Sequence, residues 1–253
     1  MPDLPLPQNV TFVGAGPGAA AHLTLAGFQA LQTAEVVIHD RLVGPEILAL
    51  IPANALRIDV GKQGFAPSTS QQVIDATLVA QALTGKRVIR LKGGDCGVFG
   101  RLDEEMDALQ AAGLGFTILP GLTSATVAAA EIGQSLTRRG RNTALRIVTG
   151  HDIAGFADHD WAGIARTGEV TAVYMGKKSA RFIQGRLLMH GAPAATPVSV
   201  VANVSRPDQQ IIGTTLADLP AAVACATGPT VLLIGLAPRA AIHSLPQLQE
   251  AHA

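Results

Sequence analysis

The sequence predicts an α/β protein made of two domains. In the first half of the chain, short apolar runs typical of buried strands alternate with helical patterns, and the run at residues 36–38 is continuously apolar. In the second half, several apolar strands follow one another without a long helix between them. The first pattern predicts a mostly parallel sheet covered on both faces. The second predicts a mixed sheet with antiparallel pairs.

The predicted elements divide at the turn formed by Pro120 and Gly121, which places one domain at residues 1–121 and the other at 122–253. Ligands of such proteins usually bind in a cleft outside the carboxyl ends of the strands. The predicted strands are residues 10–13, 35–39, 57–60, 87–91 and 116–119, then 145–149, 170–175, 198–201, 210–214 and 230–234. The predicted helices are residues 24–32, 45–49, 70–83, 104–112 and 125–131.

Composition excludes several classes of protein. The 253 residues are 48% hydrophobic and 15% charged, which suits a globular chain with a large core. Lysine and arginine (19) balance aspartate and glutamate (19), and the aromatic residues are few, so we expect no nucleic-acid partner. Prolines and glycines interrupt the uncharged stretch at residues 219–238, so we expect no membrane span. Two cysteines without metal-ligand spacing predict no metal site and a cytoplasmic protein.

A glycine-rich turn follows the first strand, and it admits two interpretations. Gly14, Gly16 and Ala19 satisfy a dinucleotide fingerprint, and Asp40 stands where a ribose-binding acid is expected. In that motif, however, the turn leads directly into a helix whose free N–H groups hold the pyrophosphate. Pro17 removes one such donor, and no helix is expected before about residue 24. The turn therefore favours a ligand without phosphates, and an NAD-dependent oxidoreductase stays as an alternative.

Other polar residues stand at the ends of predicted strands. Gly93, Gly94 and Asp95 form a second glycine turn, where Asp95 either caps a tight turn or faces a ligand. We expect the two glycine turns to line one cleft. Asp40 follows another strand, where it either caps the next segment or acts as a base. A lysine at the position of Lys62 is more often a solvated charge than a catalyst.

Basic residues are clustered although the net charge is zero. Such clusters suggest pockets for a small polyanion, since guanidinium groups bind carboxylates in bidentate geometry. An ordinary solvated loop explains the cluster at residues 138–141 equally well. The clustered residues are Arg90, Lys92 and Arg101, then Arg138, Arg139 and Arg141, and finally Lys177, Lys178 and Arg181.

Taken together, these segments resemble the uroporphyrinogen-III C-methyltransferases, which are tetrapyrrole methylases that use S-adenosylmethionine. The matching stretches follow that family's order and nearly its spacing from about residue 9 to residue 236. They are residues 13–18, 39–43, 60–62, 88–95, 98–101, 120–124, 148–151 and 174–176.

The resemblance implies two α/β domains of the tetrapyrrole methylase type, with the cofactor in the interdomain cleft, in a homodimer. It further implies that uroporphyrinogen III is methylated at C2 and C7 to give precorrin-2, with S-adenosylhomocysteine as the other product. Asp40 matches the family's proposed proton acceptor, Lys62 its proposed proton donor, and Arg101 an arginine at the substrate. The implied cofactor contacts are Pro17, Gly93, Gly94, Asp95, Val98, Thr123, Ser124, Met175 and Val204.

The chain departs from the family pattern at several positions. Cys96 and Gly97 replace a proline and an aromatic residue after Asp95, and Val204 lies in an altered segment. Two further alternatives therefore stay open: another precorrin or cobalt-precorrin methyltransferase, because fold alone does not fix the substrate, and a non-catalytic tetrapyrrole carrier.

Overall fold

Ten strands form two separate five-stranded sheets in the computed structural model, which describes residues 9–61, 70–152 and 155–241. The chain divides into two units between Thr123 and Ser124, whereas the sequence placed the boundary between residues 121 and 122. Lys62, the predicted proton donor, lies outside the described residues. Within the described ranges, no helix is both long and apolar enough to cross a membrane.

The first unit contains an all-parallel sheet in the order β3-β2-β4-β1-β5. Every residue of β2 and β4 is buried, as expected for inner strands covered on both faces. The elements are β1 Val10–Gly14, α1 Leu25–Gln32, β2 Val36–His39, α2 Pro45–Ala49, β3 Leu56–Asp59, α3 Gln71–Ala82, β4 Val88–Lys92, α4 Leu102–Ala111 and β5 Phe116–Leu119. The predicted parallel sheet is confirmed.

Two apolar clusters cover the two faces of this sheet. On one face, Leu31 of α1 and Ile47 of α2 pack with Leu91 of β4. On the other face, Leu78 of α3 and Leu109 of α4 pack with alternate residues of β1, β2 and β4. Because side chains alternate along a strand, the even-numbered residues of β4 face α3 and α4.

The second unit contains a mixed sheet in the order β6-β7-β10-β8-β9. β6 and β7 are parallel, and the other three pairs are antiparallel, so the predicted mixed sheet is confirmed. The elements are α5 Ser124–Glu131, β6 Leu145–Thr149, α6 Trp161–Ile164, β7 Val170–Tyr174, α7 Ala180–Met189, β8 Pro197–Ala202, β9 Gln210–Thr215, α8 Leu219–Cys225 and β10 Thr230–Ile234. The ten-residue helix α7 was not among the predicted elements. It buries Ile183 and Leu187, four residues apart, against the sheet.

Candidate active site

The two glycine turns of the first unit are joined by hydrogen bonds. β1 pairs with β4 so that Gly14 lies opposite Lys92. Beyond these strand ends, the amide of Gly16 donates to the carbonyl oxygen of Gly94 at 3.1 Å, and the amide of Gly94 donates to Gly16 at 2.8 Å. The turns after β1 and β4 are therefore adjacent, as expected of turns that line one cleft, and the cleft itself stays a prediction.

A third glycine completes this junction. A Cβ atom on Gly14 would overlap the backbone of Gly121, and one on Gly121 would overlap the carbonyl oxygen of Gly94. The sequence identified Gly121 only as part of a turn. Its close approach to both other glycines depends on tertiary packing, which the local pattern does not contain.

Asp95 ties this junction together. Its Oδ1 accepts a hydrogen bond from the amide of Gly97 at 2.9 Å, and its Oδ2 accepts one from the amide of Gly121 at 3.0 Å. Of the two interpretations left open by the sequence, the tight-turn cap is thus present. The hydrogen bond to Gly121 connects two residues that are 26 positions apart in the sequence. Contact of Asp95 with a cofactor stays a prediction.

The turn after β1 is separated from helix α1, as the sequence predicted. Pro17 is buried, and a short 3₁₀ turn at Ala20–His22 comes before the helix. Thr24 caps α1, because its hydroxyl accepts a hydrogen bond from the amide of Gly27 at 3.1 Å. A pyrophosphate therefore lacks the usual helix N-terminus directly after the turn, whereas a cofactor without phosphates, such as S-adenosylmethionine, fits these residues.

Asp40 lies at the carboxyl end of β2, with 28% of its side chain exposed. It does not cap the following helix, since the N-cap of α2 is Gly44 without a side-chain hydrogen bond. Instead, Oδ1 of Asp40 accepts a hydrogen bond from Nη2 of Arg90 at 2.7 Å. The capping interpretation is wrong, and the carboxylate is oriented by a buried arginine.

Arg90 and Lys92 belong to a buried ion network. Nε and Nη2 of Arg90 donate to the two carboxylate oxygens of Glu105, each at 2.9 Å, and Nζ of Lys92 donates to Oε1 at 2.6 Å. Side-chain exposures are 1% for Arg90, 3% for Lys92 and 1% for Glu105. The prediction that Arg90 and Lys92 line a pocket for a polyanion is wrong, because Glu105 and Asp40 bind these cations inside the protein.

The two carboxylates overcome the effect of burial on Arg90. Desolvation disfavours its cation, but the charges of Asp40 and Glu105 and their hydrogen bonds raise the pKa of Arg90 above its ordinary value. Arg90 therefore stays charged over the whole physiological range.

Glu105 is a site residue that the sequence analysis missed, and two signals point to it. Arg90 lies on the predicted strand 87–91 and Lys92 directly follows it, so continuing that buried strand by one residue places both cations on one face, where they require a buried anion. On α4, Glu105 and Leu109 lie four residues apart on the buried face. A carboxylate on the apolar face of the next helix is the natural partner of two buried cations.

Arg101 lies at the solvent-exposed start of α4. It adopts a left-handed backbone with φ of 54°, and its guanidinium donates to both oxygens of Glu104, at 2.7 and 2.6 Å. These hydrogen bonds raise the pKa of Arg101 and lower that of Glu104. More than half of the Arg101 side chain is exposed, so it suits the contact with substrate that the resemblance implies.

The predicted cofactor contacts of the second unit differ in exposure. Met175 directly follows β7 with φ of 54° and is 51% exposed, so its side chain does not fill the core. Val204 is 5% exposed and packs in the core, between Asn203 and Ser205, which both have positive φ. Ser124 begins α5 and is half-buried.

Cys96 is a buried thiol rather than a surface group. It is fully buried among the apolar side chains between the sheet and helices α3 and α4. Burial raises the pKa of Cys96 to about 12. Cys225, in contrast, is exposed. Among the described residues, no group of three or more potential ligands forms a metal site.

We expect the two cysteines to react differently with a thiol reagent such as DTNB at pH 8. With a pKa near 12, only about one Cys96 thiol in 10⁴ is ionised at that pH, and the thiolate is the reactive form. One thiol per chain should react in the folded protein and two in denaturant. Cys225→Ser should abolish the reaction of the folded protein, and two rapid equivalents before unfolding would contradict the assignment.

Comparison with known proteins identifies the class to which this fold and site belong. Residues 9–220 match the family of Tetrapyrrole (Corrin/Porphyrin) Methylases. The chain is 43% identical to siroheme synthase 1 of Yersinia pseudotuberculosis over 227 residues, which are 90% of this chain and 48% of that protein. It is 42% identical to the siroheme synthase of Edwardsiella ictaluri over 227 residues, which are 90% of this chain and 49% of that protein. The chain thus spans about half the length of the curated relatives it matches.

Solved structures agree with this assignment. The uroporphyrin-III C-methyltransferase of Thermus thermophilus, solved with S-adenyl homocysteine, superimposes with a TM-score of 0.77 at 32% identity, covering 89% of this chain and 96% of that one. A cobalt precorrin-4 methyltransferase has a TM-score of 0.81 at 24% identity, covering 92% of this chain and 98% of that one, and shares the fold. The chain belongs to the tetrapyrrole methylase family, and the predicted family and α/β fold are confirmed.

Proposed function

We propose that this chain transfers methyl groups from S-adenosylmethionine to C2 and C7 of uroporphyrinogen III, giving precorrin-2. The observation that carries the proposal is the position of Asp40: a carboxylate at the carboxyl end of a parallel sheet, partly exposed and oriented by a buried arginine. The likeness to a uroporphyrin-III C-methyltransferase supports the same substrate.

S-adenosylmethionine supplies an electrophilic methyl group on a sulfonium and carries no phosphate. The separation of the glycine turn from α1 and the exposure of Met175 suit such a molecule. We assign its contacts to the residues that the resemblance implies, with the contribution of Val204 coming from its backbone, because its side chain is buried. They are Pro17, Gly93, Gly94, Asp95, Val98, Thr123, Ser124, Met175 and Val204.

Asp40 is proposed to accept a proton from the substrate. After a pyrrole carbon is methylated, a proton must leave the adjacent bridge carbon to restore the neutral macrocycle. Oδ1 of Asp40 is bound by Arg90, and within the described residues Oδ2 has no hydrogen-bond partner. Oδ2 is therefore the oxygen that we assign as proton acceptor. Lys62 is proposed as the proton donor on the basis of the resemblance alone.

Arg101 is proposed to bind the substrate. Uroporphyrinogen III has eight carboxylates, and bidentate contacts from guanidinium groups hold such anions in a fixed geometry. Glu104 compensates the charge of Arg101 when no substrate is bound, so a substrate carboxylate must compete with it or use the remaining nitrogen. We further propose a cytoplasmic homodimer, again on the basis of the resemblance.

Methylation of a later precorrin or cobalt-precorrin is the second candidate. The likeness to a cobalt precorrin-4 methyltransferase supports the fold, which accommodates more than one substrate in this family. The feature of this chain that favours an altered substrate pocket is Gly97, which is exposed in the loop after β4 where the family has an aromatic residue.

The test is to incubate the purified chain with S-adenosylmethionine and freshly reduced uroporphyrinogen III and to follow the products by mass spectrometry. We expect sequential addition of two methyl groups and release of S-adenosylhomocysteine. A tetrapyrrole that stays unmethylated under reducing conditions would overturn the proposal. Methylation of a precorrin but not of uroporphyrinogen III would favour the second candidate, and tetrapyrrole binding without turnover would favour a carrier.

A further inference from the structure

A chain of charged groups runs from the interior of the first unit to the proposed base. Lys92 binds Glu105, Glu105 binds Arg90, and Arg90 binds Asp40. Of these four side chains, only that of Asp40 is more than 3% exposed. The network therefore reaches the surface at a single carboxylate, the one to which we assign proton transfer.

Stability alone does not account for such a network. Removing charged groups from water costs several kcal/mol per ion, and apolar side chains of the same volume are often as stabilising as a buried ion pair. In this unit the surroundings are apolar, since the same side of the sheet carries the apolar cluster around Phe12, Leu78 and Leu109. Buried charge that ends at a partly exposed carboxylate is typical of a functional site.

The geometry shows how Glu105 acts on Asp40 through Arg90. Two hydrogen bonds to Glu105 fix the plane of the guanidinium, and Nη1 donates to the carbonyl oxygen of Leu91 at 3.3 Å. Nη2 is then directed at Oδ1 of Asp40, 2.7 Å away. Lys92 completes the charge balance, so the network holds two cations and two anions. A point charge such as a lysine ammonium lacks this fixed fork.

We infer that Arg90 is a positioning residue for Asp40 and that Glu105 anchors it, so that Oδ1 is fixed and Oδ2 is presented to the substrate. The inference rests on the proposed function, in which Asp40 takes the proton. Arg90 lies behind the carboxylate and acts on the reaction through Asp40. Without Arg90, the carboxylate of Asp40 is still present but free to rotate. Misplacement of a catalytic group by about 1 Å lowers turnover up to about 10²-fold.

The experiment is a double-mutant cycle on turnover with Arg90→Gln and Asp40→Asn. We expect Arg90→Gln alone to lower kcat about 10- to 100-fold while KM for the tetrapyrrole and the Kd for S-adenosylhomocysteine change less than about twofold. In the Asp40→Asn background, the same substitution should change kcat by less than about twofold, because the group that Arg90 positions no longer accepts the proton. If kcat of the double variant falls by the product of the two single-variant factors, the inference is overturned. An unchanged kcat in Arg90→Gln would overturn it as well.

Arg146→Gln is the matched control. Arg146 pairs with Glu169 at 2.9 Å within the second unit, where the two side chains are 26% and 16% exposed, so it belongs to a different ion pair. Its effect on kcat should be the same in both backgrounds. If Arg90→Gln does not fold, Arg90→Lys takes its place in the cycle. This variant keeps the positive charge but lacks the two-pronged hydrogen-bonding geometry of the guanidinium group.

A second readout separates this inference from the proposed function. Urea unfolding of the same four proteins measures the coupling between Asp40 and Arg90 without any substrate. If the free energies of unfolding show coupling between Asp40 and Arg90 while the wild-type chain is inactive, the proposed function is overturned, but the ion pair between the two residues is still supported. Normal turnover in Asp40→Asn would remove Asp40 as the base, and the positioning role with it.

Discussion

Replacing Asp40 with asparagine is expected to lower turnover about 10²- to 10⁴-fold, the range that general-base catalysis contributes. Asparagine has the same shape and still accepts a hydrogen bond from Nη2 of Arg90, but it does not accept a proton from carbon. The first methyl transfer should therefore be followed by slow loss of the bridge proton. The measurement is single-turnover kinetics with product mass analysis, beside calorimetric binding of S-adenosylhomocysteine, which should be unchanged.

Asp59→Asn is the control for this substitution. Asp59 ends β3, the strand next to β2, and lies opposite His39 in the pairing of the two strands. Its carboxylate is exposed and accepts a hydrogen bond from the amide of Gly61 at 2.7 Å. We expect turnover close to that of the wild type. If Asp40→Asn and Asp59→Asn lower turnover equally, neutralising any carboxylate at this edge of the sheet reduces activity, and Asp40 has no special role.

The first sheet was predictable because its signals are local. Strand patterns alternate with helix patterns, a helix begins close to residue 24 as the sequence predicts, and the two glycine turns meet because parallel strands place their carboxyl ends at one edge. In the second unit, the antiparallel pairs followed from short strands in succession. Helix α7 was missed because Gly185 and two arginines interrupt its apolar pattern. This helix is stabilised by the packing of Ile183 and Leu187 in the core of the second unit.

The positions of several candidate residues at strand ends were predictable, but the hydrogen bonds and ion pairs that connect them were not. Asp40 stands at a strand end that the sequence located, and Met175 closes a predicted strand. Arg90 and Lys92 were assigned to the wrong partners, since a sequence shows a cluster of cations but not the anion that folds against it. In the structure every residue of β4 is buried, which excludes a solvated role for both cations. Burial thus decides the role of a charged residue more reliably than clustering.

Removing the charge of Glu105 is expected to lower the free energy of unfolding by about 3–5 kcal/mol, because two buried cations lose their shared anion. Glu105→Gln keeps the shape and one acceptor oxygen, so the loss reports charge rather than a cavity. Arg90 retains Asp40, whereas Lys92 is left without a carboxylate among the described residues. Urea unfolding followed by far-UV circular dichroism is the measurement; Trp161 is the only tryptophan and lies in the second unit, so its fluorescence reports that unit instead.

Glu104→Gln is the neighbouring control for Glu105→Gln. Glu104 pairs with Arg101 on the surface, with side-chain exposures of 49% and 56%, and exposed pairs contribute about 1 kcal/mol or less. Lys92→Met in the Glu105→Gln background removes the stranded cation and should restore part of the lost stability, since Met fills a similar volume without charge. If Glu105→Gln is no less stable than Glu104→Gln, or if Lys92→Met lowers its stability further, the network is not the charge-balanced unit that its distances describe.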